Sequence, residues 1–133
     1  MTILFALCVP QARAEAILIV TSLDSPIEKL SRDEAEQLYL GRRAALASSV
    51  PLLLDLPPSE DRDHFYLLLT SKNPSQIRAY WSRMVFTGRA LPPKEAANAD
   101  EVRRLLLENP SAIGYLPARY AKDPSLRILL RLE

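Results

Sequence analysis

Residues 73–88, NPSQIRAYWSRMVFTG, predict one amphipathic helix, with a capping residue at its start, one apolar face and a glycine at its end. Asn73 is suited to cap the N–H groups left unpaired at a helix start, and Pro74 fits the first turn, where its missing N–H is not needed. Gly88 can take the left-handed conformation that ends a helix. Helical spacing places five apolar side chains on one face: Ile77, Tyr80, Trp81, Met84 and Val85. We interpret this helix as core, packed on a wide surface such as one face of a sheet.

Length and charge limit the classes of protein that this chain can represent. Its 133 residues suffice for one domain with a real core and no disulfide or metal. The 17 basic residues nearly balance the 16 acidic ones, and no basic block stands out, which argues against a nucleic-acid partner.

The first 14 residues resemble the end of a secretory signal peptide. A short apolar run, residues 2–9, precedes Ala12-Arg13-Ala14, a small-x-small pattern that predicts cleavage before Glu15. A buried N-terminal strand is the alternative, because no basic residue precedes the run. The run is too short to span a bilayer, so we expect no stable membrane insertion. Cleavage would remove Cys8, the sole cysteine, and leave residues 15–133 as a single periplasmic domain without disulfides.

Apolar runs and helix signals alternate along the rest of the chain. Residues 16–20, AILIV, and 50–56 are typical of strands buried on both faces. Ser31-Arg32-Asp33-Glu34 and Asn98 with Glu101 have capping-box spacing, and Ser59 precedes an acidic helix start. Leu126, Ile128, Leu130 and Leu132 alternate with other residues, which predicts a less buried edge strand. The order β-α-β-α-α-α-β-β predicts an α/β fold, a three-layer sandwich with a mixed sheet.

No catalytic or metal-binding motif is present. The sequence lacks a phosphate loop, GxGxxG, GxSxG and HExxH. The single histidine, His64, has no cysteine partner for a zinc site, and we interpret it as a surface or half-buried helix residue. We therefore expect a non-enzyme that binds no metal or cofactor.

Two strand-to-helix turns could bind an oxyanion. Thr21 and Ser22 follow the first strand, and Ser59 follows the second, with Arg62, on the first turn of the helix that Ser59 begins, as a forked donor. In an open α/β sheet, ligands bind at the carboxyl ends of strands. These four residues are the predicted ligand-binding set. The alternative is ordinary helix capping by Ser59 and a surface role for Arg62.

Two segments resemble periplasmic phosphate-binding proteins of ABC transporters. Residues 30–41, LSRDEAEQLYLG, resemble the family segment LS…E…IF.G, and residues 111–116, SAIGYL, resemble GAIGY. Tyr80, Trp81, Phe86 and Gly88 resemble a run of its small, single-lobe members. The resemblance covers roughly residues 15–120 and implies one lobe of a type II periplasmic binding protein, with phosphate or another small oxyanion as ligand.

The chain departs from the family at the ligand site. The family has an Arg shortly before Ser-Gly-Thr, whereas the matching stretch here, residues 54–61, keeps only Ser59 and adds Asp55, Glu60 and Asp61, which would repel phosphate. A second hypothesis is therefore a ligand-free interaction module: an accessory subunit of an envelope complex, or a homodimer paired through the C-terminal strand.

Overall fold

The computed structural model describes residues 15–42 and 50–133. The predicted signal peptide with Cys8 lies outside the described residues. The strands are β1 (Ile17–Ser22), β2 (Leu54–Asp55), β3 (Lys94–Glu95), β4 (Gly114–Pro117) and β5 (Leu126–Leu132). The helices are α1 (Arg32–Tyr39), α2 (Glu60–Thr70), α3 (Pro74–Phe86) and α4 (Ala99–Glu108), with a 3₁₀ turn at Ala118–Tyr120.

β1 is the central strand of the larger sheet. All six of its residues are buried, as the apolar run predicts, and it pairs antiparallel with β4 on one side and β5 on the other. Ile17 lies opposite Pro117 and Val20 opposite Gly114, so the carboxyl end of β1 adjoins the start of β4.

A second, parallel pair extends the sheet to a mixed one. β2 pairs with β3, and Leu53 bridges in parallel to Ile113 just before β4. The backbone N–H of Leu54 donates to the Ile113 carbonyl at 2.8 Å. The spatial order is therefore β3-β2-β4-β1-β5, with β2, β3 and β4 antiparallel to β1. β3 is absent from the predicted order because its two exposed, charged residues carry no strand signal.

Helices cover both faces of this sheet, which confirms the three-layer α/β prediction. Tyr115 points toward α1 and α2, where its ring stacks on Phe65 with centroids 3.5 Å apart and meets Tyr39 edge-on at 5.9 Å. Gly114 faces α4: a Cβ added there would lie 3.0 Å from a Val102 methyl. Consecutive residues of β4 thus contact opposite helical layers.

α3 forms as predicted, but the prediction that it packs on one face of the sheet is wrong. The Asn73 capping box is present, and Ile77 and Trp81 are buried. Val85, however, is 48% exposed, and the main partner of α3 is α2 rather than a strand. The helical layers on the two sheet faces are α1 with α2, and α4, so α3 packs outside α2.

β5 lies at a sheet edge as predicted, but its apolar alternation is broken. Ile19 lies opposite Leu130 and Val20 opposite Ile128, so Leu129 is an extra residue in the ladder. This irregularity reverses which face of the sheet the even-numbered side chains of β5 point to. Leu129 is consequently buried, and Ile128 is 52% exposed.

Candidate functional site

Thr21 and Ser22, at the carboxyl end of β1, are buried and already hydrogen-bonded. Thr21 Oγ1 donates to the Ala112 carbonyl at 2.7 Å, which ties β1 to the segment before β4. Ser22 Oγ accepts from the Asp24 N–H at 3.2 Å and is 3% exposed. The Thr21 hydroxyl therefore links the ends of two strands, the Ser22 hydroxyl stabilises a turn, and neither is presented to solvent.

Ser59 and Arg62, at the start of α2, form a second and separate site. Ser59 Oγ caps the helix by accepting from the Arg62 N–H at 3.3 Å, and it donates to the Pro57 carbonyl at 2.9 Å. The Arg62 guanidinium lies between two carboxylates, 3.8 Å from Asp55 and 3.6 Å from Glu95. The acidic first turn is present too. This environment opposes a free anion at Ser59.

The sheet places these two turns at opposite ends. β2 runs antiparallel to β1, so the start of α2 lies near the start of β1 rather than near Ser22. Arg119 bridges Glu15, just before β1, and Asp61, on the first turn of α2. The His64 ring also lies 3.1 Å from the Glu15 carbonyl. Thr21 and Ser22 thus do not converge with Ser59 and Arg62.

A concave surface, apart from the turn at Thr21 and Ser22, runs along α3. It encloses about 690 Å³ between the helix and residues 92–95, and we call it the α3 groove. Its apolar wall comes from Ile77, Trp81, Val85, Phe86, Pro92 and Pro93, and its polar lining from Asp55, Arg62, Arg78, Ser82 and Glu95. Of the four predicted site residues, only Arg62 lines it.

The polar end of the α3 groove is organised by Asp55. This buried carboxylate accepts from Tyr66 at 2.6 Å, from Tyr115, and from the Leu56 N–H at 2.8 Å. Burial raises the pKa of the Asp55 carboxyl, and hydrogen bonds from the two tyrosines and the charge of Arg62 oppose that shift. Burial raises the pKa of both tyrosine hydroxyls well above the ordinary value, so they stay neutral donors.

Trp81 supplies an unsatisfied donor on the groove wall. The side chain is 8% exposed, and its Nε1–H has no hydrogen-bond partner in the part of the chain that the structure describes. A buried donor left unpaired costs about 1–3 kcal/mol. The Nε1 atom is itself buried, so a ligand in the groove would reach it only if the side chain moved.

Comparisons with known proteins identify the fold. No protein-family model matches the sequence, and no curated protein matches it. Among solved structures, a protein described as a phosphate ABC transporter substrate-binding protein, from Clostridium perfringens with bound phosphate, aligns with a TM-score of 0.65 at 16% identity. The alignment covers 86% of this chain and 44% of that one. An ABC-type phosphate transport receptor from Vibrio cholerae aligns with a TM-score of 0.60 at 16% identity, over 86% of this chain and 45% of its own.

The chain has the fold of one lobe of a substrate-binding protein. It spans less than half the length of each of these two proteins. The lobe carries no group of His, Cys, Asp and Glu side chains that could hold a metal ion within residues 15–42 and 50–133. Over the same ranges, no helix is long and apolar enough to cross a membrane.

Sequence reasoning missed the groove in this lobe because it assigned α3 wholly to the core. Two signals were available. Phe86, at the end of the helix and off the apolar stripe, is 92% exposed, so the helix carries an apolar side chain that the packing does not use. Residues 72–94 also contain five basic side chains and no acidic one.

Proposed function

We propose that this lobe is a non-catalytic binding domain that is exported to the periplasm. The support is the fold, which resembles that of phosphate substrate-binding proteins, together with the signal-like residues 1–14. A binding role requires no nucleophile, base or metal, and it agrees with the absence of catalytic motifs from the sequence.

The α3 groove is the proposed binding site, and the observation that carries it is a wide apolar wall that shares the groove with the exposed side chain of Arg78. Ligand pockets are concave, mostly apolar and furnished with a few polar groups. The α3 groove combines an aromatic and proline wall with the guanidinium groups of Arg62 and Arg78.

The charges favour a ligand with an anionic group attached to an apolar body. Arg62 is shared between Asp55 and Glu95, whereas Arg78 is exposed and makes no ion pair among the described residues. The remaining residues, 1–14 and 43–49, contain no acidic side chain that could pair with it. An oxyanion therefore fits best at Arg78, and the apolar part of the ligand lies on Trp81 and Phe86.

Intrinsic fluorescence tests this proposal directly, because Trp81 is the only tryptophan. The chain is titrated with inorganic phosphate and with 8-anilinonaphthalene-1-sulfonate, an aromatic anion. We expect a saturable change in Trp81 emission with the aromatic sulfonate and a much weaker one with phosphate. Arg78→Gln should weaken sulfonate binding about tenfold, because a charged contact is lost.

The control is Arg104→Gln, which removes an equal charge from the exposed face of α4. An equal loss of affinity in both variants, or no saturable change with the sulfonate, would refute the α3 groove as the binding site.

Thermal unfolding of the wild type and of Ser59→Ala, with and without phosphate, tests the predicted turn site. A ligand at about 100 times its dissociation constant adds roughly 2.7 kcal/mol to the stability of the folded protein. If phosphate raises the melting temperature of the wild type but not that of Ser59→Ala, the anion site is at Ser59 rather than in the groove.

A further inference from the structure

A second concavity, beside α3 and apart from the α3 groove, is strongly basic. Its cationic lining consists of Arg42, Lys72, Arg83 and Arg89, which together we call the basic corner. Tyr80 and Met84 complete the lining of this space of about 450 Å³. None of these six residues lines the α3 groove.

The basic corner has no neutralising carboxylate. None of its four cations forms an ion pair in the described ranges 15–42 and 50–133, and the other residues of the chain contain no Asp or Glu. The Arg42 guanidinium lies 5.6 Å from the centre of the Tyr80 ring, a cation–π contact. Four arginines elsewhere on the surface are paired with acidic residues: Arg103, Arg104, Arg119 and Arg131.

Helix dipoles offset part of the repulsion between the four cations of the basic corner. Arg42 follows α1, Lys72 follows α2, and Arg83 lies in the last turn of α3. The partial negative charge at each helix carboxyl end favours a cation, typically by 0.3–1 kcal/mol. That contribution offsets part of the mutual repulsion, and it leaves the four positive charges open to an external anion.

The donors in the basic corner are unlike those of a small-oxyanion site. No Ser or Thr among residues 15–42 and 50–133 lines it, and the Tyr80 hydroxyl already donates to the Leu40 carbonyl at 2.5 Å. Its cations are long side chains, with Arg42, Arg83 and Arg89 exposed. Spread charges around an aromatic and thioether floor suit several carboxylates and an apolar side chain rather than one compact ion.

We propose that the basic corner docks a carboxylate-rich segment of a partner protein, with an apolar side chain of that segment against Tyr80 and Met84. Charge complementarity selects the partner, and attraction between opposite charges also speeds association at low salt. This interface is separate from the α3 groove, so the two proposals stand or fall independently.

The test uses a fluorescein-labelled peptide, EELEE, and its uncharged counterpart, QQLQQ, with the full chain at 50 and 500 mM salt. We expect anisotropy to show saturable binding of EELEE that weakens at high salt, and no binding of QQLQQ. Arg83→Gln/Arg89→Gln should weaken EELEE binding about tenfold, because two exposed charge contacts are lost. The matched double variant Arg104→Gln/Arg131→Gln removes the same charge elsewhere and should bind like the wild type.

Three results would overturn the proposal. The first is no binding of EELEE by a wild-type chain that melts cooperatively. The second is an equal loss in both double variants, which would indicate only a net-charge effect. The third is binding of phosphatidylglycerol vesicles, or of inorganic tripolyphosphate, that depends on Arg83 and Arg89 while EELEE does not bind.

Discussion

Asp55 is the residue whose environment departs most from the expected one. The sequence predicts a carboxylate that repels an anion, whereas the structure shows a buried group that joins β2, α2 and β4 through Tyr66 and Tyr115. At 3% exposure, its charge is held almost entirely by protein donors. Removing a partner from such a network leaves other buried groups unsatisfied.

Replacing Asp55 with Asn should destabilise the protein by about 1–3 kcal/mol at pH 7. Asn offers one acceptor oxygen where the carboxylate serves two tyrosine hydroxyls. Urea unfolding measures the change, and Asp63→Asn, at an exposed site on the same helix, is the control and should change stability by less than about 0.5 kcal/mol. Equal stabilities of wild type and Asp55→Asn would show that the network contributes nothing.

Comparing the wild type with Asp55→Asn also shows how the contribution of Asp55 to stability depends on pH. Its pKa is raised in the folded state, chiefly by burial, so folding favours the protonated form. Its stabilising contribution is therefore greatest below the unfolded pKa and is lost as pH rises through the folded pKa. The stability difference between wild type and Asp55→Asn should widen as pH is lowered from 7 toward 4. The acidic groups that both proteins share cancel in that difference, and a narrowing would contradict the raised pKa.

At the scale of elements, two glycines that follow helices predict different costs of substitution. Gly41 follows α1 at φ 65°, and Gly88 follows α3 at φ 67°, so alanine at either position costs about 1–2 kcal/mol in backbone strain. A Cβ at Gly41 would also lie 2.8 Å from the Ala90 Cβ and 3.4 Å from the Trp81 ring, whereas one at Gly88 meets nothing within 4 Å.

Gly41→Ala should therefore destabilise the protein by at least about 1 kcal/mol more than Gly88→Ala. Thermal unfolding gives the difference, with Gly88→Ala as the matched control for backbone strain. Because the Trp81 ring lies against Gly41, tryptophan emission should shift in Gly41→Ala and stay unchanged in Gly88→Ala. Equal melting temperatures and spectra would show that residues 90–93 move aside freely.

The sequence predicts local elements well and non-local pairing poorly. The capping boxes at Ser31 and Asn73 are found as predicted, since a cap depends on residues three apart. Asn98 also caps its helix, but Glu101 accepts from the Ala97 N–H, so the predicted capping box there is not complete. β3 escapes prediction because Lys94 and Glu95 become a strand only by pairing with β2. The reversed phase of β5 at Leu129 likewise depends on its register against β1.

At the scale of the whole molecule, strand direction determines which residues can share a site. The sequence places hydroxyls after β1 and β2, and proximity would follow only if those strands ran parallel. Because β1 is antiparallel to β2, Ser22 and Ser59 lie at opposite ends of the sheet. The α3 groove was equally hidden from the sequence, since it joins β2, α2, α3 and residues 92–95. The ligand-binding roles of Thr21, Ser22 and Ser59 remain predictions.

The predicted homodimer through the C-terminal strand has a direct test at this scale. The outer edge of β5 faces no other strand among the described residues. Self-pairing centred on its middle residue, Leu129, would place Arg127 opposite Arg131, and like charges directly opposite are destabilising. The irregularity at Leu129 also disfavours a new ladder, because bulges protect edges.

We therefore expect the protein to sediment as a monomer in sedimentation velocity at micromolar concentrations. A dimer that dissociates in Ile128→Lys, at a side chain that is 52% exposed, would contradict this expectation and restore the edge-paired homodimer.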